Sequence, residues 1–323
     1  MAQNRNGNVH AHAPPVYPTA DSPIGNIASL QDKVALITGG SSGLGRAIAQ
    51  AYAAAGAYVV SADLSPNPPP QPIIADNLKG TDLTTPTVDL INTKWPLPTS
   101  SELKKARFVT CDVTDEESVK GAVAFAVQTY GRLDVMVNNA GISAEANSPS
   151  YRGQPLRIHE TDVSTLDRSL AVNVRGVFLG TKYAVAQFLS QPPGPTGPDN
   201  EVHRGWIVNL SSILGSAGFA GVSSYCATKG AVLQLTKATA LEYARDGIHI
   251  NALQPGFTDT AMLEDMYARG GREGVTNLLK SLHPWGRLGR PEDIAKVAVF
   301  LAGEGASWVT GQGWAVDGGY LAQ

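Results

Sequence analysis

Cysteine and charge are both scarce in this chain of 323 residues. The two cysteines, Cys111 and Cys226, form no C-x-x-C pair, which excludes a disulfide scaffold and a cysteine-rich zinc site and is typical of a reducing, cytoplasmic setting. Charged residues are 16% of the chain and the net charge is -3, which excludes a basic nucleic-acid-binding protein. No apolar run reaches the roughly 18 residues of a membrane span, so we expect no membrane partner. The six histidines are scattered without an H-x-x-x-H spacing, and we expect no metal site.

Proline is concentrated in three stretches, because sixteen of the 21 prolines lie in residues 1–30, 64–100 and 190–200. Proline fixes φ and lacks a backbone N–H, so these stretches are neither helix interiors nor central strands. Residues 1–30 are polar and have no apolar signal core, so we expect a disordered tail there. A single folded domain is expected over residues 31–323, with a proline-rich insertion at about 64–106 that we interpret as a long loop, partly packed on the surface.

Short apolar runs alternate with amphipathic segments of helical spacing in the remaining sequence. Near-continuous apolar strands separated by helices predict a parallel sheet that is covered on both faces. We therefore predict an α/β fold with a doubly wound parallel sheet of about seven strands. The predicted helices include Glu116–Tyr130, with Thr114 as N-cap and Glu117 completing a capping box, and a long helix over Leu166–Leu189.

A glycine-rich turn, Thr38-Gly39-Gly40-Ser41-Ser42-Gly43-Leu44-Gly45, follows the first predicted strand and precedes a helix. Glycines permit a tight turn and a close backbone approach to a pyrophosphate, and the helix N-terminus presents free N–H groups to it. Asp63 ends the second strand, where an acid accepts hydrogen bonds from ribose hydroxyls and repels a 2′-phosphate. Because Ser42 is not basic and no Arg or Lys follows Asp63 immediately, we predict NAD as the cofactor, with NADP as the alternative.

Six motifs occur along the chain in order: Thr38-Gly39 with Gly43 and Gly45, Cys111-Asp112-Val113, Asn138-Asn139-Ala140-Gly141, Asn173, Ser212 with Tyr225 and Lys229, and Pro255-Gly256 with Thr258 and Thr260. Together they resemble the short-chain dehydrogenase/reductase family of the Y-x-x-x-K type, over about residues 33–320. The resemblance implies a Rossmann fold and an NAD(P)-dependent activity. It also implies that the cofactor is bound by Gly39, Ser41, Ser42, Gly43, Leu44, Gly45, Asp63, Leu64, Asp112, Val113, Asn139, Ala140, Gly141, Tyr225, Lys229, Pro255, Gly256, Thr258 and Thr260.

Tyr225 and Lys229 are four residues apart, so a helix places them on one face. By the resemblance, Tyr225 is the general acid/base, and Lys229 lowers its pKa from the usual value of about 10 and binds the nicotinamide ribose. Ser212 would hydrogen-bond the reacting oxygen, with the adjacent Ser211 as a competitor for that role. Asn173 would hold a water that connects Lys229 to solvent, which completes the predicted catalytic set of Asn173, Ser212, Tyr225 and Lys229.

The predicted activity is hydride transfer between a secondary alcohol and a ketone, on a small and apolar substrate. The expected substrate walls are Ser143–Pro155, Ile213–Phe219 and Phe257–Trp285, the last of which carries Phe257, Met262, Met266, Tyr267 and Trp285. Two alternatives stay open: an NADPH-linked biosynthetic ketoreductase, and a nucleotide-sensing protein without catalysis. By the resemblance, we also expect a homodimer or homotetramer formed through helices 166–189 and 224–244.

Overall fold

The computed structural model describes residues 27–98, 102–148, 150, 155–194 and 202–323. Within these ranges, seven strands form one parallel sheet: β1 (Val34–Thr38), β2 (Tyr58–Asp63), β3 (Ala106–Thr110), β4 (Val135–Asn138), β5 (Gly205–Leu210), β6 (Ile248–Pro255) and β7 (Gly313–Val316). Their spatial order is β3-β2-β1-β4-β5-β6-β7. The order reverses between β1 and β4, and ligands of open α/β sheets bind at the carboxyl ends of the strands at such a point.

Helices cover both faces of the sheet, as predicted: α1 (Gly43–Ala54), α2 (Pro72–Asn77), α3 (Thr87–Lys94), α4 (Glu116–Tyr130), α5 (Val163–Leu170), α6 (Gly176–Ser190), α7 (Ser223–Tyr243), α8 (Glu264–Gly270), α9 (Arg272–Ser281) and α10 (Pro291–Leu301). One core is formed by α1, α3 and α10, which bury Ile48, Ile91 and Ile294. A second core on the other face contains Val119 of α4 and Leu179 of α6. The prediction of a doubly wound sheet is confirmed.

The central strands are buried along their whole length, because helices lie on both sides of them. Every residue of β1 and β6 is buried, whereas the edge strands β3 and β7 are only partly covered. Burying an aliphatic side chain stabilises the fold by roughly 1.5–3 kcal/mol, so this central layer holds the strand ends, and the loops that follow them, in fixed positions.

The structure corrects the predicted cap of one helix and adds a π-helical turn to another. The N-cap of α4 is Asp115, whose carboxylate accepts hydrogen bonds from the N–H groups of Glu117 and Ser118, whereas Thr114 donates its hydroxyl to Asp112. Both residue types can cap a helix, and the backbone conformation decides between neighbours. The predicted helix over Leu166–Leu189 is interrupted by a π-helical turn at Ala171–Arg175 between α5 and α6.

The insertion at about 64–106 contains α2 and α3, so its interpretation as a long loop was wrong. Ile91 of α3 is buried against α1, and Thr87 donates its hydroxyl to the carbonyl of Gly40 in the glycine-rich turn. At the other end of the insertion, Ile73 and Ile74 both donate their N–H groups to the carboxylate of Glu264, at the start of α8. The insertion therefore connects the glycine-rich turn to the segment that follows β6.

The predicted N-terminal tail falls almost wholly outside the described residues, which begin at Ile27. Leu30 is fully buried in the core that contains α1, and its backbone N–H donates to the carbonyl of Ala55. The folded domain therefore includes Leu30, one residue before the predicted boundary.

None of the helices in the part of the chain that the structure describes has the length and apolar character needed to cross a membrane.

Candidate active site

The turn after β1 has the geometry of a phosphate cradle. Gly39 and Gly43 have φ values of 65° and 53°, which favour glycine because a side chain at positive φ is strained. A Cβ on Gly45 would lie 2.1 Å from the carbonyl oxygen of Gly39, so no larger residue fits there. Helix α1 begins at Gly43, and its N-cap Ser42 makes no side-chain cap hydrogen bond. The first N–H groups of α1, from Gly43 and Leu44, therefore remain available to an anion.

The segment after β4 is hydrogen-bonded to the glycine-rich turn. The Asn139 side-chain amide donates to the carbonyl oxygens of Thr38 and Gly39, at 2.9 and 3.1 Å. The Thr38 hydroxyl oxygen accepts the N–H groups of Asn139 and Ala140, at 3.0 and 3.1 Å. The predicted cofactor residues Asn139 and Ala140 therefore lie directly against the predicted phosphate turn.

Asp63 lies at the end of β2, beside the same turn. Its carboxylate accepts the N–H of Ser41 at 3.0 Å and the N–H of Leu64 at 2.8 Å. The Ser41 hydroxyl donates to the carbonyl of Ser65. These bonds fix the Asp63 carboxylate at the edge of the cradle, where an adenosine ribose would lie in a fold of this type.

The predicted cofactor residues Asp112 and Val113 follow the end of β3. Asp112 is exposed and Val113 is buried.

The chain after β6 crosses to the glycine-rich turn. Pro255 ends β6, and the N–H of Gly256 donates to the carbonyl of Val316 in β7. A Cβ on Gly256 would lie 2.7 Å from Nε2 of His283, so glycine is required by packing. The Thr258 hydroxyl donates to the carbonyl of Gly256. Thr260 then lies 3.5 Å from the position of a Cβ on Gly43, in van der Waals contact with the cradle.

Ser212 and Tyr225 are hydrogen-bonded through their side chains at the carboxyl edge of β5. The Ser212 hydroxyl oxygen also accepts the N–H of Leu214 at 3.1 Å. The competing Ser211 donates its hydroxyl to the backbone carbonyl of Lys229 at 2.8 Å, so its hydroxyl is already used in a hydrogen bond to α7. This geometry favours Ser212 over Ser211 as the partner of Tyr225.

Lys229 is buried beside Tyr225, with its Nζ 5.6 Å from the centre of the phenol ring. Its ammonium donates to the carbonyl of Leu210 at 2.7 Å, and burial lowers its pKa to about 8. Burial also raises the pKa of Tyr225 to about 12, against the opposing effect of the Ser212 hydrogen bond. The loss of solvent around the phenolate outweighs the Ser212 hydrogen bond, and Cys226 and Glu145 add to the rise.

Asn173 lies in the π-helical turn and is completely buried. Its amide nitrogen donates to the carbonyl of Ile142 and to the Thr228 hydroxyl, and its amide oxygen accepts the N–H of Ile142. A Cβ on Gly141 would lie 3.3 Å from the Asn173 oxygen and 3.4 Å from Nζ of Lys229. The structure therefore brings Asn173, Gly141 and Lys229 together, although they come from three different elements.

The residues at this edge fit a dinucleotide. The cradle combines the glycines of the turn, the N–H groups at the start of α1, which Ser42 does not cap, and an acid at the ribose position. The residues that would bind the phosphates are Gly39, Ser42, Gly43 and Leu44. Lys229 and Tyr225 lie at the other end of the same edge, where the nicotinamide half would reach.

Aromatic side chains form a cluster near the end of β6. Phe257 contacts Phe219, His283 and Tyr320, with ring centres 5.5, 5.8 and 6.2 Å apart. Of the predicted wall residues, Met262 and Trp285 are exposed. Tyr267 does not fit the prediction of a wall residue, because it is buried between α8, on which it lies, and α9, and it donates its hydroxyl to Asp259 at 2.6 Å.

Three residues with clear structural roles at the site were missed in the sequence. Glu145 accepts the N–H of Tyr225, Arg46 binds the insertion, and His283 accepts the N–H of Phe257. None belongs to a motif with fixed spacing, and each contacts a residue far away in the chain. The sequence carries no local signal that could have identified them.

A dinucleotide cradle joined to a Ser–Tyr–Lys group at one sheet edge defines a nicotinamide-dependent oxidoreductase. A family model described as short chain dehydrogenase matches residues 33–94, and one described as Enoyl-(Acyl carrier protein) reductase matches residues 92–321. The chain belongs to the short-chain dehydrogenase/reductase family. It is an NAD(P)-dependent enzyme that interconverts secondary alcohols and ketones.

Similar proteins of known activity include two dehydrogenases of hydroxylated substrates. The chain is 34% identical to 2-(R)-hydroxypropyl-CoM dehydrogenase of Xanthobacter autotrophicus, over 90% of this chain and 99% of the relative. It is 36% identical to cis-4-hydroxycyclohexanecarboxylate dehydrogenase of Sinomonas cyclohexanicum, over 90% and 97%. A protein of Beutenbergia cavernae, whose crystal structure contains NADP at low occupancy, is 31% identical in sequence to this chain. The two structures align with a TM-score of 0.72 over 92% of this chain and 100% of that one.

Proposed function

We propose that this chain oxidises small apolar secondary alcohols with NAD⁺ and reduces the corresponding ketones with NADH, with Tyr225 as the proton-transferring residue. The observation that carries the proposal is the arrangement of Ser212, Tyr225 and Lys229 at the sheet edge that also holds the cradle. When bound, the nicotinamide ring accepts or returns the hydride.

Tyr225 and Ser212 have different roles at the reacting oxygen of the substrate. In oxidation, the Tyr225 oxygen takes the proton of the substrate hydroxyl, and in reduction it returns a proton to the carbonyl oxygen. Ser212 holds the same oxygen with a hydrogen bond and stabilises the negative charge that develops on it. The sign of the pH dependence follows from the role of Tyr225 as base in oxidation and acid in reduction, and burial, which raises its pKa, places the change at alkaline pH. Oxidation should accelerate as pH rises, because the base form is the phenolate, and reduction should slow.

The aromatic cluster around Phe257 supports an apolar substrate. Phe219, Phe257 and Tyr320 present ring surfaces near the end of β6, and the exposed Met262 and Trp285 belong to the same segment. Such surfaces bind alicyclic or aromatic rings better than charged groups. A panel of cyclic secondary alcohols, each paired with its carboxylate analogue, tests this by the absorbance of the reduced nicotinamide. Faster turnover of the carboxylates than of the neutral alcohols would contradict an apolar pocket.

NAD(H) is proposed as the preferred cofactor, because the Asp63 carboxylate is fixed at the cradle edge by two backbone N–H groups. A 2′-phosphate there would meet a negative charge without a nearby base. Replacing Asp63 with alanine and Ser42 with arginine should shift the ratio of kcat/KM values toward NADP(H). The wild-type enzyme should turn over NAD(H) faster at equal concentration. The opposite ratio would favour an NADP-linked ketoreductase, which the NADP-bound similar structure keeps as the alternative.

We also propose a homodimer or homotetramer, formed through the outer surfaces of α5, α6 and α7. These helices expose large apolar side chains that a monomer would leave in water: Leu166, Leu170, Phe178, Leu189 and Leu241. Phe178→Glu should dissociate the assembly in sedimentation experiments at micromolar protein. Leu278→Glu is the matched control, because Leu278 is 58% exposed and lies on α9, which is not one of these helices. A monomeric wild-type mass would contradict the proposal.

A cytoplasmic location is proposed on the basis of Cys111 and Cys226, which are both free thiols. Free thiols persist in a reducing compartment. Fractionation of cells that produce the full chain, with the thiols trapped by alkylation at lysis, would test this, and recovery with secreted proteins would contradict it.

A further inference from the structure

Glu145 connects the loop after β4 to the helix that carries Tyr225. It lies in the 3-10 turn Ala144–Asn147, four residues after Gly141, and its side chain is only 3% exposed. Its Oε1 accepts the backbone N–H of Tyr225 at 2.8 Å. A carboxylate from one wall of the proposed substrate site is therefore in direct contact with the main chain of the proposed proton-transferring residue.

The start of α7 needs this acceptor. The helix begins at Ser223 and is 21 residues long, but its N-cap, Val222, has no side chain that could accept a backbone N–H. The first N–H groups of a helix have no partner within it, and the helix dipole favours a negative charge at that end. Glu145 supplies both the acceptor and the charge from a different element, so it fixes the end of α7 where Tyr225 lies.

The two carboxylate oxygens of Glu145 differ in their partners. Oε2 is buried and makes no hydrogen bond to any residue that the structure describes. The Glu145 carboxylate is thus stabilised by the hydrogen bond from Tyr225 and by the dipole of α7. Both act in the protein interior, where electrostatic interactions are stronger than in water. Burial is the main cause of the raised pKa of the Tyr225 phenol, and the neighbouring Cys226 and Glu145 raise it further.

We propose that Glu145 is a positioning residue, which holds the catalytic end of α7 in place and, through its carboxylate at that helix end, influences the proton exchange of Tyr225. The proposal rests on the proposed role of Tyr225. It adds a residue outside the Ser–Tyr–Lys motif to the proton-transfer step, and it ties that step to the loop that forms one substrate wall.

Other charged groups near Tyr225 come from the elements packed around it. Lys229 lies on the same helix, with Nζ 5.6 Å from the ring centre. Helix α5 packs against both the Glu145 turn and α7, and its charged residues Asp167 and Arg168 are exposed. Asp162, just before α5, is engaged by the hydroxyls of Ser148 and Ser150. The test therefore changes Glu145 alone and leaves these groups in place.

Three substitutions separate the charge of Glu145 from its hydrogen bond. Glu145→Gln keeps an acceptor for the Tyr225 N–H but removes the charge, so the rise of kcat/KM with pH in the oxidation direction should move to lower pH. The plateau value should stay within about threefold. Glu145→Asp keeps the charge with a shorter reach, so the profile should keep its position while kcat falls. Glu145→Ala loses both, and kcat should fall by about 10- to 100-fold through misplacement of Tyr225.

The matched control is Glu160→Gln. Glu160 is exposed, lies on the same connection between β4 and α5, and its carboxylate accepts the backbone N–H of Arg157 at 2.9 Å. The same chemical change there should leave the pH profile and kcat at the wild-type values. Melting temperatures of all variants report whether any of them has lost the fold.

A purely structural role for Glu145 predicts a different pattern. The melting temperature would then fall in all three variants, while the pH profiles of the folded fractions would coincide with that of the wild type. That result, or a profile that moves for Glu160→Gln as much as for Glu145→Gln, overturns the inference. Full activity of Tyr225→Phe would instead overturn the proposed function itself, so the two failures can be told apart.

Discussion

Replacing Tyr225 with phenylalanine is expected to lower turnover by about 10²–10⁴-fold, which corresponds to roughly 3–5 kcal/mol of activation free energy. Phenylalanine keeps the ring and its packing and removes only the oxygen that hydrogen-bonds Ser212 and exchanges the proton. The loss should therefore appear in kcat, with little change in cofactor affinity or melting temperature. Steady-state kinetics and a fluorescence titration with NADH measure both quantities.

Lys229→Ala should behave differently from Tyr225→Phe. The Lys229 ammonium is buried near the phenol ring and beside Gly141, at the end of the sheet edge where the nicotinamide ribose would bind. Its removal should lower both turnover and cofactor affinity. Ser212→Ala should spare cofactor affinity, as Tyr225→Phe does.

The control for the missing phenol oxygen is Tyr243→Phe, at the far end of the same helix. It should leave kcat near the wild-type value. A Tyr225→Phe enzyme within about threefold of wild-type turnover, far short of the expected general-acid loss, would contradict the mechanism.

The strands, the main helices and the cradle could be predicted because their signals are local. An apolar run such as Val34–Thr38 is buried wherever it lies in the sheet, and the glycines beside it are required by backbone geometry within a few residues. Tyr225 and Lys229 could be placed together because both lie on one helix. These features depend on neighbours in sequence, so the sequence alone indicates them.

The features that were missed depend on contacts between distant parts of the chain. Asn173 itself was predicted by the resemblance, but the π-helical turn that carries it was not, because a period of 3.6 residues does not predict such a turn. Glu145 is an isolated acid in a loop until α7 is packed against it. Helices α2 and α3 are six and eight residues long and lie between prolines, so neither shows enough periodicity to stand out. Their stability comes from docking on the domain.

Arg46 shows how strong that docking is, and its replacement is expected to destabilise the fold. Its guanidinium is 3% exposed and donates to the carbonyl oxygens of Asp82 and Thr85 and to the hydroxyl of Thr87. Burial lowers the pKa of Arg46, with the Asp82 carboxylate opposing this effect. One side chain of α1 thus satisfies three acceptors of the insertion, next to the hydrogen bond from Thr87 to Gly40.

Arg46→Met keeps the length of the aliphatic chain and removes all three donors. The acceptors left behind would lose hydrogen bonds to a charged group, which are worth about 1.5–3 kcal/mol each in favourable cases and are not additive. We expect a loss of about 2–4 kcal/mol in the free energy of unfolding, measured by chemical denaturation. Proteolysis within residues 64–106 should become faster than cleavage elsewhere, because the insertion loses its attachment to α1.

Lys94→Met is the matched control for this prediction. Lys94 also joins the insertion to α1, through a hydrogen bond from Nζ to the side-chain oxygen of Gln50, but it does so at the exposed surface. Exposed contacts of this kind change stability by about 0.5 kcal/mol or less. Equal stability of Arg46→Met and Lys94→Met would contradict the role of Arg46. Because the phosphate cradle lies at the N-terminal end of α1, a lower affinity for NADH in Arg46→Met alone would further show that the insertion supports the cofactor site.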